Sequence, residues 1–311
     1  MSANADMATL WPYLPREGIE ETLEWLTGIQ GSRAGEQRRA LRRVPREYLR
    51  LNHIHDDATA DAIRALVRAN FTGPWAVPHW GQALSLGPLT ATDTALAIPA
   101  TLADFRVGED VALAALGGPA KGTLVTRTVA AIAESTLTLT APVGLDAPFA
   151  AVAPLREGRL TEPVEDTRGP GFWQASVRFL LEGGRDLAAE VLPLEGDTPL
   201  LAEPVLLSEA RQGAIQRQTA YLDGATGLVA PIALTDYSER REEIAFLDAT
   251  PASRWRRRQM FYSLRGRQRA FLLRPAPGET ARLVRLDSDT VDIALGAGYA
   301  RTAVTVVEVP A

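Results

Sequence analysis

His53, His55, Asp56 and Asp57 are the residues whose types and spacing come closest to chemistry. Histidines at i and i+2 of a strand project to one side, so both could face one metal ion with a carboxylate beside them. The same residues also read as a polar turn before a helix, with Asp56 or Asp57 capping the first turn. His79 is the one remaining histidine, so no further imidazole cluster supports a metal centre, and the capping reading is the expectation. The carboxylate pairs Glu20-Glu21 and Glu242-Glu243 are adjacent in sequence; on a strand they would point to opposite faces and read as solvated or interface charges. Neither a G-x-S-x-G nucleophile elbow nor a G-x-x-x-x-G-K-S/T phosphate loop occurs. Gly296-Ala297-Gly298 starts like a dinucleotide fingerprint but lacks the third glycine and a following helix, so it reads as a hairpin turn. With no cysteine in the chain, disulfides, thiolate metal sites and a Cys nucleophile are excluded. The expectation is therefore a protein without catalytic residues, cofactor or bound metal.

Charge is the more distinctive feature. Net charge is −5, yet Arg33 to Arg50 carries seven arginines against Glu36 and Glu47, and Arg254 to Arg269 carries seven with no acid. Those stretches sum to +12, which leaves −17 for the remainder. Lys121 is the only lysine, so nearly all positive charge sits on guanidinium groups suited to bidentate pairing with carboxylates. The separation suggests a basic face that meets an acidic face of a neighbouring copy. Arg42, Arg43, Arg254, Arg257, Arg258, Arg265 and Arg267 are the candidate inter-subunit contacts, and charge reversal at Arg265 and Arg267 is expected to impair assembly with the fold intact. Arg254-Trp255-Arg256-Arg257-Arg258 with Phe261 and Tyr262 also reads as a nucleic-acid patch with aromatics, or as a helix whose Trp255, Gln259 and Tyr262 pack inward.

The elements that would position these residues are mostly strands. Three hundred and eleven residues leave room for two or three domains, no apolar run is long enough to span a bilayer, and Met1 to Leu10 does not read as a signal peptide. Ile19–Thr27 reads as a strand or a single helical turn, and Gln37–Leu51 as two strands broken at Pro45. Thr59–Asn70 has helical spacing, as does Ser253–Leu264. Gly158–Gly171 reads as a linker. After each helix come a Gly-containing turn and a short apolar strand stopped by proline, Trp75–Pro78 and Ala270–Pro275. Pro78 and Pro275 lie 197 apart, and Asp93-Thr94 and Asp289-Thr290 lie 196 apart, which points to an internal duplication of long period. The expected architecture is mainly β with a few helices (α+β). Residues 1–103 with 154–185 would form one β domain, 104–153 a small inserted β-barrel-like module, and 186–311 a second β domain.

Three stretches of the chain resemble siphophage tail-tip structural proteins. They are Glu21-Thr22-Leu23-Glu24-Trp25-Leu26-Thr27 with Gly35-Glu36-Gln37-Arg38, then Trp75-Ala76-Val77-Pro78-His79-Trp80, and Leu264-Arg265-Gly266-Arg267 with Phe271 and Pro275. Within the resemblance Trp75, Pro78, Trp80, Gly266, Phe271 and Pro275 carry the structural motif. The first copy departs from it with Gly73-Pro74 where the second has Gly266-Arg267, and the second ends without a tryptophan. The resemblance implies duplicated tail-tube-like β-sandwich domains, each with a flanking helix, assembled as a homo-oligomeric ring at the virion tail tip. A trimer with pseudo-six-fold symmetry or a hexamer would satisfy a six-fold tube. Implied partners are the tail tube protein, baseplate hub and tail-tip proteins and the tape measure protein, with DNA only in transit through the lumen and no membrane insertion. A distal tail protein is the leading expectation, and a baseplate hub or other minor tail protein the alternative. A carbohydrate- or protein-binding β protein using Trp75–Trp80 as a surface is the competing class.

Overall fold

A computed structural model describes the chain except residues 1–7, 17, 33–34, 189–191, 203–212, 224–228, 237, 275–277, 297 and 310–311. The first half opens with β1 (Thr9–Leu10), β2 (Ile19–Gly31), β3 (Glu36–His55), α1 (Asp57–Ala69) and β4 (Trp75–Pro78). An excursion follows through β5 (Leu84–Leu86), β6 (Ala95–Leu96), β7 (Asp110–Ala115), β8 (Leu124–Ala133) and β9 (Thr136–Leu139). The half closes with β10 (Ala150–Leu160), β11 (Glu165–Gly169) and β12 (Phe172–Leu181). The second half runs through β13 (Leu194–Glu195), β14 (Thr198–Leu201), β15 (Gly213–Gln216), β16 (Thr219–Asp223), β17 (Val229–Ala233) and β18 (Glu239–Asp248). It then adds α2 (Pro251–Leu264), β19 (Phe271–Leu273), β20 (Arg282–Leu286), β21 (Thr290–Leu295) and β22 (Ala300–Glu308). Among the described residues the chain is thus mainly β, with one α-helix in each half. Among the described residues no helix is long and apolar enough to cross a membrane.

Local sequence explains both helices. Asp56 caps α1 by accepting from the Thr59 amide at 2.8 Å, and Ala60, Ile63 and Val67 form its buried stripe. In α2, Thr250 and Ser253 form a reciprocal capping box, and Pro251 occupies the first turn, where no amide is needed. The helix therefore starts at Pro251, two residues before the expected Ser253. Arg265 ends it in the left-handed region (φ 54°) and Gly266 follows at φ 64°.

One sequence alternative is decided and two expectations are corrected. Ile19–Gly31 is one long strand, and Glu36–His55 runs through Pro45 without a break. The β2–β3 register shifts between Glu24 and Thr27, so the proline falls in a bulged stretch where no ladder amide is required of it. Gly158–Gly171 is not a linker: β10 reaches Leu160 and β11 follows, both paired antiparallel with β12. Gly158 has the reason for its composition there, since a Cβ would lie 3.2 Å from the Leu180 carbonyl oxygen and 3.2 Å from Val77.

The duplication is real in connectivity. In the first half β1 pairs parallel with β4, and antiparallel pairs then run β4–β10, β10–β12, β12–β3 and β3–β2. In the second, β14 pairs parallel with β19, followed by antiparallel β19–β20, β20–β22, β22–β18 and β18–β15. Each unit places its helix between the fifth and the second strand of these series, β3 to β4 and β18 to β19. Trp75 and Val77 are buried on β4 as Phe271 and Leu273 are on β19, an offset of 196 in both cases. The downstream sequence match is a coincidence. Asp93-Thr94 leads into β6, which pairs with β9 in the excursion, whereas Asp289-Thr290 leads into β21, paired with β2 and β22.

Three cores result. The excursion strands, in the ladder β5–β10–β7–β8–β9–β6, surround Leu96, Phe105, Leu113 and Leu137. That ladder is open between β5 and β6, and Leu84 to Ala103 pack in this core although they precede the expected boundary at 103/104. Trp11, Leu49, Ile63, Trp75 and Phe179 form the first-half core, and Phe246, Phe261, Tyr262, Phe271 and Val291 the second. β2 sends Leu23 and Trp25 into the second core, and it pairs along β21 from Ile19↔Leu295 to Glu24↔Thr290. The halves thereby share one sheet.

Gly266 sets a sharp test of this packing, because an added Cβ would meet the Asp289 carboxylate at 2.5 Å and Trp25 at 3.1 Å at a positive φ. Gly266→Ala is expected to lower stability by about 1–3 kcal/mol in urea unfolding. Gly31→Ala, with nothing within 4 Å of the new methyl, should stay within about 0.5 kcal/mol.

Candidate functional site

The arginines singled out by charge turn inward or pair within the chain. Arg258 on α2 is buried against Glu21 and Glu47, with its Nη2 3.1 Å from Glu47 Oε2 and its Nη1 in contact with Glu21 Oε1. Glu21 lies opposite Leu49 and Glu47 opposite Leu23 on the β2–β3 pair, so the two carboxylates are diagonal neighbours on the buried face. Like charges so placed repel, and the guanidinium between them offsets that repulsion. The Tyr262 hydroxyl, one helical turn beyond Arg258, donates to Glu47 Oε1. His79 completes the cluster from just after β4, with its Nε2 3.6 Å from Glu21 Oε1.

Burial governs the protonation of this group. It pushes the Glu47 carboxyl up, the Tyr262 phenol up and the Arg258 guanidinium down. His79 is held down at about 4 by burial, so at neutral pH its ring is uncharged and its approach to Glu21 is dipolar. Glu21, Glu47 and His79 have ligand atoms within 4.8 Å of one another, a donor set of the kind that holds a divalent cation. Here the guanidinium of Arg258 lies against both carboxylates and supplies the positive charge itself.

A second network lies beside it. Asp104 is buried and accepts from Arg106 Nε at 3.1 Å and Arg156 Nη2 at 2.8 Å, and Arg185 also touches it. Burial works against its charge, but the three arginines together hold Asp104 below the usual carboxylate range. Asp104 follows the excursion's last 3-10 turn, Arg156 lies on β10 and Arg185 follows β12, so this network joins the excursion to the first half.

The remaining candidates divide clearly. Arg257 stacks 3.9 Å above the Phe246 ring and reaches Asp248 at 3.3 Å. Arg254 is half-buried and lowered by burial, with Asp248 opposing. Arg265 pairs with Asp186 at 2.9 Å. Arg267 reaches Asp289 at 3.2 Å and the Thr27 carbonyl at 3.4 Å, so charge reversal there would strike a junction between β2 and the second half. Arg42 bonds the Glu24 carbonyl and carboxylate, both at 3.0 Å. Arg43 is exposed. The expected basic-to-acidic complementarity is thus met largely inside one chain, and Arg258, fully enclosed, offers nothing to a neighbour.

The structural motif residues are core. Trp75, Pro78, Trp80, Gly266 and Phe271 are buried, and Pro275 lies outside the described residues. Burial of Trp75 and Trp80 removes the aromatic surface on which a carbohydrate-binding reading depended. His53 and His55 stack at 5.1 Å within a cluster of Trp11, Tyr13 and Trp75. His53 Nδ1 lies 3.1 Å from the Leu14 carbonyl, Asp56 caps α1, and Asp57 accepts from Trp173 Nε1 at 2.6 Å. The four residues serve packing and capping. Gly296 donates to the Tyr299 carbonyl at 2.9 Å between β21 and β22, the expected hairpin turn.

Sequence reasoning missed Glu21, Glu47, Tyr262, Asp104 and Arg156. A signal was present: Glu21 continues the buried alternation of Leu23 and Trp25, and Glu47 that of Leu49 and Leu51. An acid in phase with apolar positions calls for a buried cation. No protein-family model matches the chain, and no curated protein matches it.

Arg258→Met should cost about 3–5 kcal/mol in urea unfolding, because it strands two carboxylates. Adding Glu21→Gln and Glu47→Gln should recover most of that loss. The pH profile supplies a second test. Burial holds His53 at about 4 against 6.5 unfolded, so the unfolded chain binds the extra proton and the histidine's contribution, full above pH 6.5, is lost as pH falls through about 4. His53→Leu should flatten the fall in unfolding free energy across that window.

Proposed function

We propose that the chain is a structural component of a bacteriophage tail tip, a distal tail protein whose ring continues the tail tube and joins it to the receptor-binding apparatus. The observation that carries this reading is the repeated unit: two strand-and-helix units of the same connectivity stand in one chain and are welded through β2 and β21. A trimer of such a chain offers six similar units to a six-fold tube. Ring closure then needs one heterologous contact repeated around the axis. The sequence resemblance at Glu21–Thr27, Trp75–Trp80 and Leu264–Phe271 points to the same family.

The chemistry of the interior fits a structural role. Its buried charges neutralise one another across the two halves, and His53 and His55 pack in an aromatic cluster. The excursion β5–β9 has its own core and would decorate the ring's outside. Partners of this assembly would be the tail tube protein, the hub and the tape measure protein, with the virion tail tip as its location and DNA passing only through the lumen.

Negative-stain images and mass photometry of the purified chain, alone and mixed with tail-tube protein encoded in the same genome, test the proposal. Closed rings that cap tube ends are expected. Monomers under both conditions would refute it.

A further inference from the structure

The two units are equivalent strand by strand, but their edges are not equally occupied. β2 and β15 hold the same place in their units, and so do β11 and β21, each the continuation of the strand before it along β12 or β22. Within the chain, β2 of the first unit pairs with β21 of the second. The reciprocal edges are open: among the described residues β11 pairs only with β12, and β15 only with β18.

The space beside each helix tells the same story. In the second unit, between α2 and β21–β22, the first unit inserts Gly81, Gln82, Leu84 and Leu102 and leaves a cavity of about 30 Å3. In the first unit the corresponding space between α1 and β11–β12 is an open groove of about 350 Å3, floored by Ile63, Val67, Val164 and Ala175. Phe71 stands half exposed at its rim.

The arms differ in the same sense. The β2–β3 arm lies on the second unit, where Thr27 bonds Asp289 at 2.7 Å and Glu36 bonds Arg285 at 2.6 Å. The β16–β17 arm has no strand partner beyond its own pair among the described residues, and it exposes Tyr221, Leu222, Val229 and Ile232, next to an Ile215 that is 77% exposed. A two-stranded ribbon with such an apolar surface is marginal alone and marks an interaction site.

We infer that a second copy of this chain occupies the groove head to tail: its β15 adds to the outer edge of β11, and its β16–β17 arm covers Phe71 and the groove. The contact repeats between chains the junction that β2 and its arm make within one. It is heterologous, so it generates a ring or a filament. The inference rests on the self-assembly in the reading above and adds which surfaces meet.

The internal junction also gives the register. Followed through the paired strands from Trp75 and Phe271, Leu49 and Glu242 hold equivalent positions on β3 and β18, opposite Glu21 and Gly213, so Ala214 corresponds to Thr22. Ile293 lies opposite Thr302 and Asp166 opposite Ala175, and the same strand equivalence maps Asp292 onto Glu165. Because Thr22 faces Asp292, Ala214 of one chain should face Glu165 of the next.

The chain lacks cysteine, so two full-length single-cysteine variants, Ala214→Cys and Glu165→Cys, make a clean test. Under conditions where the parent assembles, a short bismaleimide should yield a covalent dimer from the mixture and none from either variant alone. Assemblies whose mixture gives no cross-link would overturn this interface and leave the ring reading standing; monomers throughout would overturn both. Tyr221→Glu with Ile232→Glu, at exposed positions, should abolish association with an unchanged melting temperature. Normal assembly of that variant would also overturn the interface.

Discussion

The guanidinium of Arg258, enclosed between Glu21 and Glu47, is the interaction on which the rest of the molecule depends. Two carboxylates diagonal on the buried face of β2 and β3 could not coexist there without a cation. The cation comes from the helix of the other half, more than 200 residues away in sequence. Its partners are set by backbone pairing on one side and by the capped start of α2 on the other. The cluster fixes how the second helix sits on the first unit's strands. A buried pair of this kind is weak evidence for added stability, since apolar residues of equal volume often serve as well. What it contributes is a single allowed arrangement, because any slippage leaves a charge unpaired in the core.

Around that constraint the duplication acquires a purpose. Two units that were merely tethered would each keep two open edges. Here β2 and β21 cover one pair of edges, the Gly81–Leu84 segment fills the space beside α2, and the β2–β3 arm lies on the second unit through Asp289 and Arg285. Covering one junction leaves the equivalent edges uncovered at the two ends of the shared ladder of strands. Edge strands and exposed apolar ribbons are hazards for a protein that stays alone. They are assets for one that assembles from identical copies, and the geometry already present inside the chain shows how such copies can fit.

Much of the fold was legible locally. The cap at Asp56 and the repeated helix, turn and strand follow from residue types and spacing. What was not legible depends on contacts distant in sequence. Pro45 reads as a strand break, and only the shifted register between β2 and β3 lets the strand pass through it. Gly158 reads as a linker residue, and only the nearness of Leu180 and Val77 gives it another meaning. The arginine runs read as faces for a neighbour, because nothing local says that Asp186, Asp289 and Glu21 come to meet them. The acids in phase with Leu23 and Leu49 were the one local sign of the buried cluster. Trp75 and Trp80 carry no such sign, since an aromatic strand end looks the same whether it faces solvent or core.

Hydrogen exchange of the assembled chain against the dilute monomer tests the central claim most directly, that the junction between the halves is repeated between chains. The account predicts new amide protection concentrated at Glu165–Gly169 and Gly213–Gln216, with β2 and β21 equally protected in both states. New protection elsewhere, with those two edges exchanging as fast in the assembly as in the monomer, would contradict it.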